Sequence, residues 1–381
     1  YTIAVLASEI RVDLDISRTQ IGLIGAANTG IGAVVSPFAG RVVDRIGAKQ
    51  GSIAVLAGGG MGMFATAAAP NYPLLLAASV LAGVAQSGGN PSTNKLISLH
   101  VADGRRGTVT GLKQSGVTLS LFLTGLTLPG ASSVIGWRAA VGLYGCISVA
   151  FAAALWLRLP ADPGGRPQRG AGASRPPLPR FVRRIALYAF LMGVTTAGIL
   201  RFLPLFAEEE LGYSDTVAGL AAALVGLIGI GSRIGWGRLA EHRVSTRTAL
   251  GTVAALAAFT ALLLALATDI GAWSVWPIAA LTAGSAVAWN VIGNLAIIRG
   301  VPSTAAGRAT GILLFGFMAG LSLGAPMTGA IVDATDDYTL AWLAVGTSAV
   351  AAAALMALSD EPPVIGRGRD EPTGVELGRN D

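Results

Sequence analysis

The chain has 381 residues, 52% of them hydrophobic and 13% charged, with a formal net charge of +6. Soluble domains carry about 25% charged residues; half that share, with 52 glycines and a mean hydropathy of +0.63, excludes a water-soluble body of this size and a disordered chain alike. One cysteine, Cys146, and two distant histidines, His100 and His242, exclude an internal disulfide and a Cys or His metal cluster, and neither metal nor cofactor is expected.

A membrane-spanning helix needs about 20 mostly apolar residues. Such runs cover 20–40, 51–69, 73–99, 107–131, 138–157, 182–206, 216–237, 246–267, 273–298, 307–331 and 339–358. Ahead of them Tyr1 to Ser8 is apolar and ends in Glu9-Ile10-Arg11-Val12-Asp13. Eight residues cannot span, so this stretch reads as the stump of a truncated first span, the alternative being an interfacial segment. The expectation is an all-α membrane protein of twelve spans, the first incomplete. Residues 1–157 form one six-span bundle and 182–358 a second. Between them 158–181, with Arg175-Pro176-Pro177 and several glycines, reads as a flexible linker, and 359–381 as a disordered tail.

Charge placement sets the topology. Twenty of the 27 Lys and Arg lie in the loops after even-numbered spans or in the tail, and three (Arg11, Arg18, Arg138) on the other side. Basic residues mark the cytoplasmic face, which predicts a multi-pass protein of the inner cell membrane with linker and C-terminus in the cytoplasm. The basic charge is thus a topology signal and not a nucleic-acid patch. The lipid bilayer and a small-molecule substrate are the expected partners, a coupling ion is left open, and the chain is expected to be monomeric.

The halves resemble each other. At an offset of 200 the pairs Asn90/Asn290, Asn94/Asn294, Gly107/Gly307, Thr110/Thr310 and Gly116/Gly316 are identical; at 197, Ser17/Ser214, Gly22/Gly219, Gly40/Gly237 and Arg41/Arg238 match. Both run in the same direction, a parallel repeat of the kind that places transporter sites at the repeat interface.

Directly after span 2 comes Gly40-Arg41-Val42-Val43-Asp44-Arg45-Ile46-Gly47-Ala48-Lys49. This resembles the G-x-x-x-D-R-x-G-x-K signature of the major facilitator superfamily, and a weaker copy, Gly237-Arg238-Leu239-Ala240-Glu241-His242-Arg243, follows span 8. With twelve spans, a central linker and parallel halves, the resemblance covers essentially the whole chain. It implies two six-helix bundles rocking about a central site. Physically, Gly40 permits close helix approach. Asp44 is expected at the N-terminus of span 11, near Gly307, and Glu241 at that of span 5, near Gly107, where a helix dipole favours an anion. Gly40, Arg41, Asp44, Arg45, Gly47, Lys49, Gly237, Arg238 and Glu241 are therefore the expected gating motif.

Four cations remain inside the spans: Lys95, Lys113, Arg201 and Arg233. Intramembrane charges are costly and functional by default. The resemblance implies that spans 3, 6, 9 and 12 lie outermost, and all four cations fall on the other, cavity-lining spans. So do Asn90, Asn94, Gln114, Asn290 and Asn294. Lys95 and Arg233 lie near span ends and can snorkel to water. Lys113, Arg201, Arg233, Asn90, Asn94, Gln114, Asn290 and Asn294 are the candidate substrate-binding residues, the Asn pairs serving equally well as interhelical hydrogen-bonding groups. No acid is visible well inside a span, and unmatched cations favour an organic anion as substrate. The alternative within the family is a proton-driven multidrug or metabolite efflux antiporter. Span 5 has only Gly125-Leu126-Thr127-Leu128-Pro129-Gly130 of the efflux motif, and span 11 the closer Gly320-Leu321-Ser322-Leu323-Gly324-Ala325-Pro326-Met327-Thr328-Gly329. No phosphate-binding loop or nucleophile–base spacing points to an enzyme. A non-transporting membrane receptor is the alternative of a different class.

Overall fold

A computed structural model describes residues 1–102, 106–159, 179–301 and 303–361. Most of the expected linker and tail therefore lies outside the described residues. In chain order the helices are α1 (Thr2–Val5), α2 (Ala7–Leu14), α3 (Arg18–Ile46), α4 (Ala48–Ala67), α5 (Tyr72–Ser87), α6 (Gly89–His100), α7 (Arg106–Ile135) and α8 (Trp137–Arg158). They continue with α9 (Arg180–Glu209), α10 (Asp215–His242), α11 (Thr246–Ala265), α12 (Ala267–Ile270), α13 (Val275–Gly284), α14 (Trp289–Gly300), α15 (Ser303–Thr335) and α16 (Tyr338–Ala357). Each of the eleven apolar runs is one helix or two consecutive ones. Nine helices among the described residues are long and apolar enough to cross a membrane, ten if α3, whose axis bends by 60° between Ser36 and Phe38, counts as one span. The glycine-rich α4 is not among them.

Local chemistry sets the helix starts. Ser17 and Gln20 cap α3 reciprocally: the Gln20 N–H donates to Ser17 Oγ (3.2 Å) and the Ser17 N–H to Gln20 Oε1 (2.8 Å). Asn71 caps α5 and Ser245 caps α11 on one side only, each side chain accepting from a backbone N–H of the first turn. Gly47, at φ +96°, makes the turn from α3 to α4, a conformation that a side chain would strain.

One end of the molecule carries Glu9, Asp13, Glu208, Glu209, Glu210, Asp215, Asp333, Asp336 and Asp337; the other carries Arg41, Arg45, Lys49, Arg238, Arg243 and Arg299. We refer to them as the acidic and basic ends. In the first half α3, α4 and α5 pack on one another and α8 packs along α4. In the second half α9 is central, flanked by α15 and α16, with α11 on α16 and α13 on α10. The halves meet along two antiparallel seams, α3 on α15 and α7 on α10. Thr29 pairs with Ser322, Gly22 abuts Ala325 and Arg18 abuts Gly329; on the other seam Phe122 abuts Gly226 and Gly125 abuts Ala223. All of these lie in the acidic-end parts of their helices. The halves are thus held against each other at the acidic end.

Two spans depart from one continuous helix in a way the apolar pattern does not reveal. Span 4 carries one turn residue, Gly88, between α5 and α6, whose backbone stays helical (φ −76°, ψ −12°), and span 10 is interrupted over 285–288, between α13 and α14. The repeat relates these positions, and each immediately precedes an Asn pair.

Candidate functional site

α6 continues span 4 beyond Gly88, and Asn90 and Asn94, four residues apart, share its face. Lys113 on α7 lies opposite them. Its ammonium donates to Asn90 Oδ1 (2.9 Å) and Asn94 Oδ1 (2.7 Å). An ammonium has three donors, and the two amide oxygens take two of them without neutralising the charge. Asn90 and Asn94 are exposed and Lys113 half-buried. The side chain of Gln114 lies outside the described residues.

Arg201 belongs to the second half, on the central helix α9. It lies eight residues from the acidic end of that helix, about 12 Å at the helical rise. Its guanidinium lies against Gly25 of α3, where an added Cβ would be 3.1 Å from Cζ. Among the described residues it makes no hydrogen bond and no ion pair. It therefore sits just beneath the acidic-end closure, contacts the other half, and keeps five N–H donors for another acceptor.

Arg233 serves the break in span 10. Its Nε donates to the Val287 carbonyl (3.5 Å). Trp236 Nε1 donates to Gly284 O (2.8 Å), and the Thr196 hydroxyl is shared between Met192 O (2.6 Å) and Ala286 O (2.8 Å). Three carbonyls that the interruption deprives of their helical N–H partners are thereby satisfied by side chains. Asn290 and Asn294 follow; the Asn294 amide donates back to Asn290 O (2.8 Å) on its own helix. Packed against them is an aromatic group in which Trp289 meets Tyr188 edge-on at 5.8 Å and Phe317 at 4.9 Å.

The motif residues lie at the basic end. Asp44, with 63% of its side chain exposed, pairs with Lys95 of α6 at 3.7 Å, and Lys95 also donates to Val43 O (3.1 Å) and Asp44 O (3.3 Å). Lys95 thus closes the C-terminus of α3 with 28% of its side chain still exposed. Arg41 stacks on Phe38 at 4.7 Å, and Lys49 donates to Leu159 O. Gly40 faces Pro91, and Gly237 faces Val291. Arg299 donates to the carbonyls of Ala240 (3.1 Å) and Glu241 (3.2 Å), holding the second copy of the motif to α14. Arg45 and Arg238 point away from the core. The side chains around Gly107 and Gly307 lie outside the described residues.

The sequence reading treated Arg11 and Arg18 as outer-loop charges and passed over Glu208 and Glu209. In the structure these residues join the halves. Arg18 Nε donates to Glu209 Oε2 (2.9 Å), its Nη1 lies 3.4 Å from Asp336 Oδ1, and Arg11 also pairs with Glu209. Tyr338 donates its hydroxyl to the same carboxylate (2.6 Å). Asp333 accepts from the backbone N–H groups of Arg18 (3.0 Å) and Thr19 (2.7 Å) and from the Thr19 hydroxyl. Glu208 has one carboxylate oxygen, Oε2, buried without a partner. Partners 129 to 318 positions apart leave no local signal. The only hint was a surplus of acids facing three arginines.

The Major Facilitator Superfamily model matches residues 1–311. The chain is 24% identical to a hexuronate transporter of Bacillus subtilis (strain 168), over 98% of this chain and 92% of that protein. It is 29% identical to human monocarboxylate transporter 11 over 64% of this chain and 54% of that one, and 26% identical to an uncharacterized MFS-type transporter of Mycobacterium tuberculosis over 87% and 75%. Among solved structures, a bacterial homolog of the human lysosomal transporter Spinster, inward-facing and occupied, superposes with a TM-score of 0.78 at 18% identity, covering 94% of this chain and 92% of that one.

Proposed function

The chain belongs to the major facilitator superfamily of membrane transporters, and from that premise we propose that it carries a small organic anion, a carboxylate, across the inner cell membrane by alternating access. The observation that carries this reading is Arg201, a guanidinium beneath the acidic-end closure with no hydrogen-bonding or ionic partner among the described residues. Holding such a charge in an apolar span costs several kcal/mol unless an anion meets it, and Arg favours planar carboxylates that accept two parallel hydrogen bonds. Lys113 on the opposite half offers its remaining donor. An anion between Lys113 and Arg201 would link the two bundles electrostatically, so its arrival favours their approach. The relatives named for hexuronate and for monocarboxylate support the class, since both are carboxylates.

In this reading the basic end is cytoplasmic by the positive-inside rule, and the present arrangement is the one open to the cytoplasm. Closing the basic end would bring Asp44 and Glu241 toward the opposite bundle, while the acidic-end contacts release. Arg233 holds the break in span 10 and shapes the cavity wall; Asn90, Asn94, Asn290 and Asn294 line it. The chain works as a monomer of two bundles, 1–157 and 182–358.

Flux into proteoliposomes across a panel of mono- and dicarboxylates, with and without a pH gradient, tests the proposal. Lys113→Gln and Arg201→Gln should each abolish uptake of the anion. Transport of an uncharged or cationic compound that both replacements leave untouched would overturn it. Drug export that requires the gradient would favour the efflux antiporter instead, and ligand binding without flux a receptor.

A further inference from the structure

α11 and α16 pack side by side in the second half, and an open hollow follows their contact. Near the basic end it measures about 510 Å³ and is lined by Arg247, Thr248, Gly251, Thr252, Val350 and Met356, among others. A second hollow of about 320 Å³ lies beside Phe259, Leu262, Trp342 and Leu343. Val350 lines both, so the two form one groove. From residue 247 to residue 262 the helical rise gives ~22 Å, more than the ~15 Å of hydrocarbon in half a bilayer. The rims Phe259, Leu343 and Val350 are exposed. The groove carries charge at one end only, at Arg247.

That charge is fixed in place and not neutralised. Arg247 Nε donates to Met356 O (3.0 Å) and Nη2 to Ala357 O, which ties the guanidinium to the end of α16. A guanidinium has five N–H donors, and the other three meet no acceptor among the described residues. The neighbouring acids are otherwise engaged. Asp360 lies 3.4 Å from Arg184, and Glu361 accepts from the backbone N–H of Arg247 (3.4 Å).

We infer that this groove binds one anionic phospholipid of the leaflet at the basic end, its phosphate on Arg247 and an acyl chain along the hollow toward Phe259. A guanidinium offers phosphate paired, charge-assisted hydrogen bonds, and basic groups at a membrane surface attract anionic headgroups. Thr248 and Thr252, both exposed, add hydroxyls at the same end of the groove. Both helices belong to one half, so the lipid travels with that bundle whatever solute is carried.

The test is native mass spectrometry of the purified chain titrated with phosphatidylglycerol, phosphatidylcholine or glycerol phosphate. One phosphatidylglycerol should bind tightest, and phosphatidylcholine about tenfold more weakly, the scale of one charge-assisted contact. Glycerol phosphate, which has no chain, should not bind in that range. Arg247→Gln should weaken phosphatidylglycerol about tenfold and abolish its advantage over phosphatidylcholine. Gly251→Leu fills the groove without touching the charge. A Cβ there meets only Met356 Cβ at 3.8 Å, an ordinary contact, and leucine suits a helix better than glycine, so this variant folds. It too should cost about tenfold in phosphatidylglycerol affinity, since it displaces buried methylenes of the chain. Binding untouched by both variants would overturn the inference, as would equal binding of the two lipids. Glycerol phosphate held as tightly as the lipid would reduce the groove to an anion site, and a dimer dispersed by Gly251→Leu would make the occupant a second copy; either result overturns the lipid. Should Arg247→Gln not fold, Gly251→Leu and the comparison of lipids decide. No transport is measured, so failure here is separable from failure to carry an anion.

Discussion

Replacing Gly22 by alanine tests whether the α3–α15 seam belongs to one state of a moving molecule. A Cβ there would lie 2.5 Å from Ala325 O and 2.7 Å from Pro326 N. Both are backbone atoms that no rotamer change can move, and ordinary contact needs about 3.5 Å or more. The helices must therefore part by about 1 Å, and overpacking of this kind costs ~1–3 kcal/mol. If the seam opens when the bundles rock, only the acidic-end-closed state bears that cost, and the state ratio shifts by about 5- to 150-fold. Gly193→Ala is the control. Its Cβ would lie 2.5 Å from Phe317 O, on the α9–α15 contact inside the second half, which rocking leaves intact. The assay is alkylation of a cysteine placed at Ser322, below the closure, by an impermeant reagent added at the acidic side of sealed vesicles. Gly22→Ala should speed labelling while barely changing the melting temperature. Gly193→Ala should lower the melting temperature and leave labelling alone. If both variants lower the melting temperature equally and neither changes labelling, the seam is a static core contact and the reasoning fails.

Arg201→Gln should raise the melting temperature in detergent while abolishing anion uptake, since it removes an unmatched charge from an apolar span; a less stable protein would show that Arg201 supports the fold. Trp236→Phe should destabilise by ~1–2 kcal/mol in thermal unfolding, because it strips the Gly284 carbonyl of its donor, and an unchanged transition would contradict the role assigned to the break. Burial, reinforced by the Asp215 charge and opposed by a hydrogen bond from Ser132, raises the Glu9 carboxyl above its ordinary range. Folding thus favours the neutral form, so the stability Glu9 contributes is present below the ordinary carboxylate range and is lost as pH rises through its raised value. Unfolding against pH should show that loss in the wild type and a flatter profile in Glu9→Gln; identical profiles would refute the assignment.

The helical layout was legible because a bilayer forces each crossing to be a long apolar run, and all eleven such runs are helical. The interruptions were not legible. Gly88 and the 285–288 turn lie inside apolar runs, and the second draws its stability from donors on α9 and α10 that only packing brings near. Lys113 with Asn90 and Asn94 was half legible, as intramembrane polar groups with helical spacing, though not their mutual hydrogen bonds. Arg233 was read as a candidate substrate ligand because it is a cation on a cavity-lining span; that its Nε donates to the Val287 carbonyl is visible only in the packed structure. The hub at Glu209 escaped notice because the apolar run ends at residue 206 while α9 continues for another turn.

The break in span 10 also bears on how freely such a molecule can cycle. A backbone turn opened inside a membrane is usually wetted, its carbonyls bonded to water that must leave whenever the cavity is squeezed dry. Here an indole, a hydroxyl and a guanidinium stand in for that water. In the proposed cycle these three bonds, all internal to the second half, need not be exchanged for water as the cavity fills or drains.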